Sequence, residues 1–245
     1  MIISHKYKYV FIGVPRSGTG AISEELCSFY HGQKILRRHS SYWNYLSIMM
    51  PEWKDYHVFS SIRNPMDQIV SLYYKFRNSQ KIPFLKSNSF GLRLADAYFK
   101  RHFLFAQDKD NSFSDYFLRF YKRPYHDMTV SHDSIDFVIR YENLHEDFDR
   151  WLSIMKMRKI RDIPPKTSSS NLNLTRDRSE NFLSYYEERT WDRALRVFSP
   201  YFNKWGYGFP ETWGYHDTRI IDELQWKLTK PAVKTLYYFF YLGKD

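Results

Sequence analysis

Short apolar runs alternate with helical periodicities along most of this chain. Residues 7–13 (YKYVFIG) form a β-branched and aromatic run ended by Gly13 and Pro15, which predicts a buried strand leading into a loop. Over residues 17–30 the apolar positions Ala21, Ile22, Leu26 and Phe29 recur at helical spacing. Residues 56–62 (YHVFSSI) predict a second strand. Pro65 suits the first turn of a helix that carries Met66, Ile69, Val70, Tyr73 and Tyr74 on one face. Residues 136–140 (DFVIR) predict a third strand, and Asn143 with Glu146 reads as a capping-box start for a helix ending near Met155. Further helices are expected over 93–105 and 180–198, a short strand over 34–37, and a loop over 164–173. Strands separated by helical stretches predict an α/β fold with a central parallel sheet flanked by helices. No repeat or domain boundary interrupts the pattern. We expect one domain over 1–210 and a C-terminal helical extension of it over 211–245, broken at Pro231.

Composition narrows the function. The 245 residues hold 37 Lys and Arg against 27 Asp and Glu, a formal charge of +10. Such a chain attracts anions: nucleotides, acidic glycans, nucleic acid or anionic lipid. Aromatic residues reach 20%, which suits stacking on bases or sugars as well as a thick core. A single cysteine, Cys27, excludes an internal disulfide framework and a cysteine-built zinc site. No stretch approaches the roughly 18 uncharged apolar residues of a membrane span, and the first residues do not read as a signal peptide. A soluble cytoplasmic protein is the expectation. The tail over 226–242 mixes Trp, Tyr and Phe with Lys227, Lys230 and Lys234, a pattern that can lie on an inner membrane surface or pack on a partner subunit.

Candidate chemistry centres on Gly13-Val14-Pro15-Arg16-Ser17-Gly18-Thr19-Gly20, between a strand and a helix. Such a loop aims backbone N–H groups and the positive end of a helix dipole at one spot, which suits a phosphate. Arg16 adds a fixed charge, and Ser17 and Thr19 add hydroxyls. A Walker loop would require Gly-Lys followed by Ser or Thr. Here Thr19 and Gly20 follow Gly18, so the usual magnesium-holding arrangement is missing. The plain alternative is an ordinary glycine-rich turn. A second anion site is read from Ser61-Ile62-Arg63-Asn64-Pro65-Met66-Asp67-Gln68-Ile69-Val70-Ser71. Arg63 ends a strand and Ser71 lies two turns into the next helix. The carboxyl ends of strands in an α/β sheet line one crevice, so both stretches should face one ligand with two separate phosphates. The alternative is a surface Arg63 paired with Asp67.

The pair "VPRSGTG" and "SSIRNPMDQIVSLYYKF" resembles the two nucleotide signatures of the sulfotransferase superfamily, closest to its carbohydrate-type and bacterial members. "FVIRYENLHEDF" and "RVFSPYFNKWGYGF" resemble later family stretches, so the likeness spans about residues 9–209. The resemblance implies a P-loop-type sheet and 3′-phosphoadenosine 5′-phosphosulfate (PAPS) as co-substrate, with no metal. Arg16, Ser17, Gly18, Thr19 and Gly20, with Ala21 behind them, would take the 5′ side. Arg63 and Ser71 would take the 3′-phosphate, and Tyr141 the adenine. The acceptor would be a hydroxyl, of a carbohydrate or glycoconjugate, and not nucleic acid. Family members commonly carry Lys at Arg16, a second Thr at Gly20 and Asp at Asn203. The cytosolic small-molecule members carry an aromatic at Ala21.

Sulfuryl transfer needs a base for the acceptor proton and a cation near the leaving oxygen. Arg16 is the candidate cation and His39, between the two signatures, the candidate base; Glu24 is a rival base. The alternative for His39 is a partly exposed residue of a basic loop. Arg37 and Arg38 can contact the ligand, with at least one expected to be simply solvated. Glu142 and His57 read as structural, and Met49, Met50 and Trp53 as core. The basic run Lys156, Arg158, Lys159 and Arg161 reads as a solvated helix face. Two other functions fit parts of the pattern: a nucleotide kinase or other P-loop NTPase, and a basic module binding nucleic acid or glycan.

Overall fold

Five strands form a mixed sheet in the order β3-β1-β2-β4-β5. They are β1 (Ile2–Ser4), β2 (Tyr9–Gly13), β3 (Gln33–Lys34), β4 (His57–Ile62) and β5 (Phe137–Arg140). This computed structural model describes residues 1–79, 90–132, 134–164, 181–214 and 217–240. The fold is α/β, and its central strands β2, β4 and β5 pair in parallel as expected. The left edge differs from a wholly parallel sheet. A tight turn at residues 5–8, with Lys8 at φ 53°, folds β1 back on β2, and β3 also pairs antiparallel to β1.

The chain divides into two compact units. The first comprises Met1–Arg63, Asp127–Thr167 and Val233–Asp245 and holds the sheet. Strand residues of period two feed two separate cores. Tyr9, Phe11 and Phe59 face Ile22 and Leu26 of α1 (Thr19–Phe29) and Phe148, Trp151 and Leu152 of α6 (Leu144–Ile154). Val10, Ile12 and Val58 face the other way, onto Tyr45 of α2 (Tyr42–Leu46) and Trp53. Trp151 stacks on Phe59 with ring centroids 4.0 Å apart and meets Tyr9 edge-on. Trp53 is core, as expected, but Met49 and Met50 are 38% and 50% exposed in the turn that follows α2.

The second unit, Asn64–His126 and Ser168–Ala232, is helical. It contains α3 (Pro65–Arg77), α4 (Phe90–Gln107), α5 (Phe113–Phe120) and α7 (Glu188–Trp205). Asn64 caps α3 by accepting from the Met66 N–H, and Pro65 occupies the first turn. Much of the aromatic content is spent here: Tyr73, Phe76, Tyr116, Phe117, Phe198 and Phe202 are all buried together. The helix expected over 180–198 begins later, at Glu188, after a 3₁₀ turn at Phe182–Tyr185. Most of the loop expected over 164–173 lies outside the described residues. The last helix, α8 (Ile220–Phe240), runs straight through Pro231, contrary to the expected break. Pro231 lies eleven residues into it, where proline costs one backbone donor and crowds the carbonyl four residues back, and the flanking turns remain helical.

Two local expectations are corrected in the first unit. The start of α6 is not a capping box: Asn143 makes no side-chain cap bond, and the Tyr141–Asn143 segment is a 3₁₀ turn. The Asp147 carboxylate instead accepts from the Arg140 N–H (2.8 Å), tying the end of β5 to the helix. The basic run after Met155 is not a helix face, because α6 stops at Ile154. Lys159 pairs with Asp149 and Asp162. Arg161 reaches Glu25 of α1 through Nε (3.0 Å) and Nη2 (2.9 Å), and stacks over Phe29.

The Glu25 side chain is fully buried, so Arg161 supplies the charge that keeps its carboxylate tolerable. We expect Arg161→Ala to destabilise the protein by about 1–3 kcal/mol, because buried Glu25 loses its partner while Arg161 itself is 45% exposed and partly screened by solvent. Urea unfolding of the two proteins checks this. A loss under about 0.5 kcal/mol, the scale of an exposed pair, would mean that Glu25 is stabilised by other means.

Candidate functional site

Parallel register brings the functional segments to one edge. Gly13 pairs with Ser61, and Ile62 with Arg140. The residues that follow these strand ends, 14–20, Arg63 and Tyr141, therefore emerge side by side at the carboxyl edge, where α/β sheets bind ligands.

The first loop is built on the Val14 carbonyl. It accepts from the Ser17 hydroxyl (2.7 Å), the Thr19 hydroxyl (2.6 Å) and, at 3.5 Å, the Ser17 N–H. Ser17 Oγ also lies 2.7 Å from Ser61 Oγ on β4. Both hydroxyl residues are buried, so they brace the loop from within. The chain turns through two left-handed residues, Arg16 (φ 66°) and Gly18 (φ 76°). Gly18 suits this conformation; Arg16 is strained in it, a conformation that surrounding contacts must hold. Gly13 is required for another reason: a Cβ there would overlap the Thr19 methyl.

Helix α1 starts bare. Gly18 is its N-cap and offers no capping side chain, and no acidic residue occupies the first turn. The first helical bond runs from the Ile22 N–H to the Gly18 carbonyl (3.2 Å), so the N–H groups of Thr19, Gly20 and Ala21 precede it. This is an electropositive terminus suited to an anion.

Arg63, half-buried, links the parts of this edge. Its Nη1 donates to the Arg16 carbonyl (3.2 Å), and its guanidinium lies 4.5 Å from the centre of the Tyr141 ring. The ring also meets Gly18, where a Cβ would stand 3.1 Å from Tyr141 Cδ2. Tyr141 thus touches both the first loop and Arg63.

His39 comes from the segment between β3 and α2. Its Nδ1 donates to the Gly13 carbonyl (3.0 Å), which selects the tautomer with Nε2 as the basic nitrogen. Burial pushes the imidazole below its ordinary value of 6.5; Arg38 and Arg16 add to the effect, and the bond to Gly13 opposes it. Arg38 lies beside the first turn of α1, at Gly20.

The remaining candidates lie on other elements. Ser71 sits in α3, within the second unit. Glu24 and Glu142 are exposed. His57 pairs with Tyr9, at the strand ends opposite Gly13. Ser61 was not singled out from sequence, although a small residue two places before Arg63 is a legible signal for the brace it makes. Among the described residues, no cluster of three or more His, Cys, Asp or Glu forms a potential metal site, and no helix is long and apolar enough to cross a membrane.

A strand–loop–helix with a bare helix terminus, set at the carboxyl edge of parallel strands beside two arginines, is an α/β arrangement of the kind that suits an anion. The chain belongs to the sulfotransferase family, whose model matches residues 1–203. Its chemistry is sulfuryl transfer to an acceptor. No curated protein and no solved structure compared with it matches.

Because His39 titrates below 6.5 in the fold and near 6.5 when unfolded, it remains neutral at pH 7 and costs stability as pH falls below 6.5. A ¹⁵N-detected NMR titration should show a midpoint below 6.5 and a protonated Nδ1 in the neutral ring. A midpoint above 6.5 would remove the burial described here.

Proposed function

We propose that this sulfotransferase takes its sulfuryl group from PAPS and delivers it to a hydroxyl of a carbohydrate or glycoconjugate in the cytoplasm. Residues 1–210 form the catalytic domain and 211–245 its extension. One observation carries the reading: a bare helix terminus, Arg16, Arg63 and a neutral His39 with fixed tautomer converge on one strand edge.

In this reading the N–H groups of Thr19, Gly20 and Ala21 receive the 5′ end of the donor, and Ser17, Gly18 and Thr19 keep the loop in shape. Arg16 neutralises charge on the leaving 5′-phosphate. As an arginine it stays protonated, so it acts as a charge and not as an acid. Arg63 and Ser71 hold the 3′-phosphate. Tyr141, already flanked by Gly18 and Arg63, lies along the adenine. PAPS supplies a sulfuryl group on a good leaving group. The acceptor oxygen forms the new O–S bond, the S–O bond to the 5′-phosphate breaks, and His39 Nε2 takes the hydroxyl proton. The tail works at an inner membrane surface. Ile220, Leu224 and Leu228 of α8, 79%, 52% and 79% exposed at four-residue intervals, support that placement.

Calorimetric titration with 3′,5′-adenosine bisphosphate, without magnesium and with 5′-AMP as control, tests the donor. The bisphosphate should bind well and AMP poorly. Equal, absent or magnesium-dependent binding would overturn the reading in favour of an NTPase or a general anion binder. Arg63→Ala should weaken bisphosphate binding by ~1.5–3 kcal/mol, the worth of a hydrogen bond to a charged group. Unchanged affinity would take Arg63 out of the site. His39→Ala should lower turnover by about 10²–10⁴ while bisphosphate binding persists. Near-normal turnover would place the base elsewhere.

A further inference from the structure

Gly20 has no conformational reason to be glycine. It lies in the first turn of α1 and has no left-handed φ, so an alanine could adopt the same backbone. What fills the missing side chain's place is Arg38. A Cβ on Gly20 would overlap Arg38 Nη2 and stand 3.5 Å from its Cζ. The guanidinium therefore lies on the backbone of the helix's first turn, beside the uncapped N–H groups.

Arg38 is exposed, so solvent screens much of the repulsion, but the placement gains it nothing as it stands. A helix N-terminus carries a partial positive charge and disfavours cations. No acidic residue in the first turn offsets it, and among the described residues Arg38 makes no hydrogen bond or ion pair. An anion between the N–H groups and the guanidinium would turn repulsion on both sides into attraction. Arg16 sits in the same loop, so the anion would be met by two fixed charges from separate segments.

We infer that Arg38 grips the 5′ anion of the donor directly, and that Gly20 is glycine to admit it. The inference rests on the proposed donor, and it assigns to Arg38 the contact that a side chain at position 20 would otherwise make.

The overlap at Gly20 involves only the far end of a flexible side chain, so Gly20→Ala should fold normally and push the guanidinium aside. Gly20→Ala, Arg38→Ala and the double variant are titrated with 3′,5′-adenosine bisphosphate, with 3′-AMP and with inorganic pyrophosphate, after thermal melts confirm folding. Each single variant should weaken the bisphosphate and pyrophosphate roughly tenfold, as loss of a charge-assisted bond does. The double variant should be no weaker than Arg38→Ala, because both changes remove the same contact. Affinity for 3′-AMP, which lacks the 5′ anion, should hold. Wild-type affinity in Arg38→Ala, additive losses in the double variant, or equal losses for 3′-AMP would each overturn the inference. Arg38-dependent binding of pyrophosphate without binding of the bisphosphate would overturn the donor and keep the grip; binding of neither would overturn both.

Discussion

The Val14 carbonyl is the constraint on which this site depends. Three donors converge on it, two of them buried hydroxyls at 2.7 and 2.6 Å. A backbone that alternates through left-handed residues has no regular ladder to satisfy its polar groups. Ser17 and Thr19 supply that satisfaction from within, and Ser61 extends it to the neighbouring strand. Arg63 closes the other side by donating to the Arg16 carbonyl. Arg16 can therefore be held at φ 66°, a conformation worth about 1–3 kcal/mol of strain that an unbraced loop would relax.

Strand register then does for the whole site what Val14 does for the loop. Pairing Gly13 with Ser61 and Ile62 with Arg140 brings residues far apart in sequence to one edge, where Arg63 can reach the Arg16 carbonyl and Tyr141 can meet Gly18. The antiparallel β1 and β3 broaden the sheet on one side and leave that edge unchanged. Burial on both faces, with Trp151 stacked on Phe59 on one side and Val10 and Ile12 packed on the other, holds the register.

Much of this was legible in the sequence, for identifiable reasons. β2, β4 and β5 are dense in β-branched and aromatic residues, so their strands declare themselves. The loop at 13–20 is legible because glycine spacing and a following helical period coincide. Other features are set by tertiary contacts with no local signature. β1 is three residues long and exists through its pairing. Asp147 replaces the expected cap of α6 because its carboxylate reaches the Arg140 N–H. Met49 and Met50 look like core by composition, yet they are exposed after α2, while Tyr45 and Trp53 on either side of them are buried. Arg161 reads as one of a run of solvated charges until α1 presents the buried Glu25.

The Gly13 carbonyl joins two roles that are usually considered apart. Gly13 must lack a side chain so that the Thr19 methyl can pack and Thr19 can reach Val14. Its carbonyl also accepts the His39 Nδ1–H, and so decides which imidazole nitrogen is basic. A change that disturbs the loop at 13–20 would thus loosen the orientation of His39, and one that removes His39 would leave the Gly13 carbonyl without this donor. The proposed phosphate loop and the proposed base are parts of one hydrogen-bonded assembly. Selectivity for an acceptor has to be built around that assembly, by segments that can vary without entering its bonds.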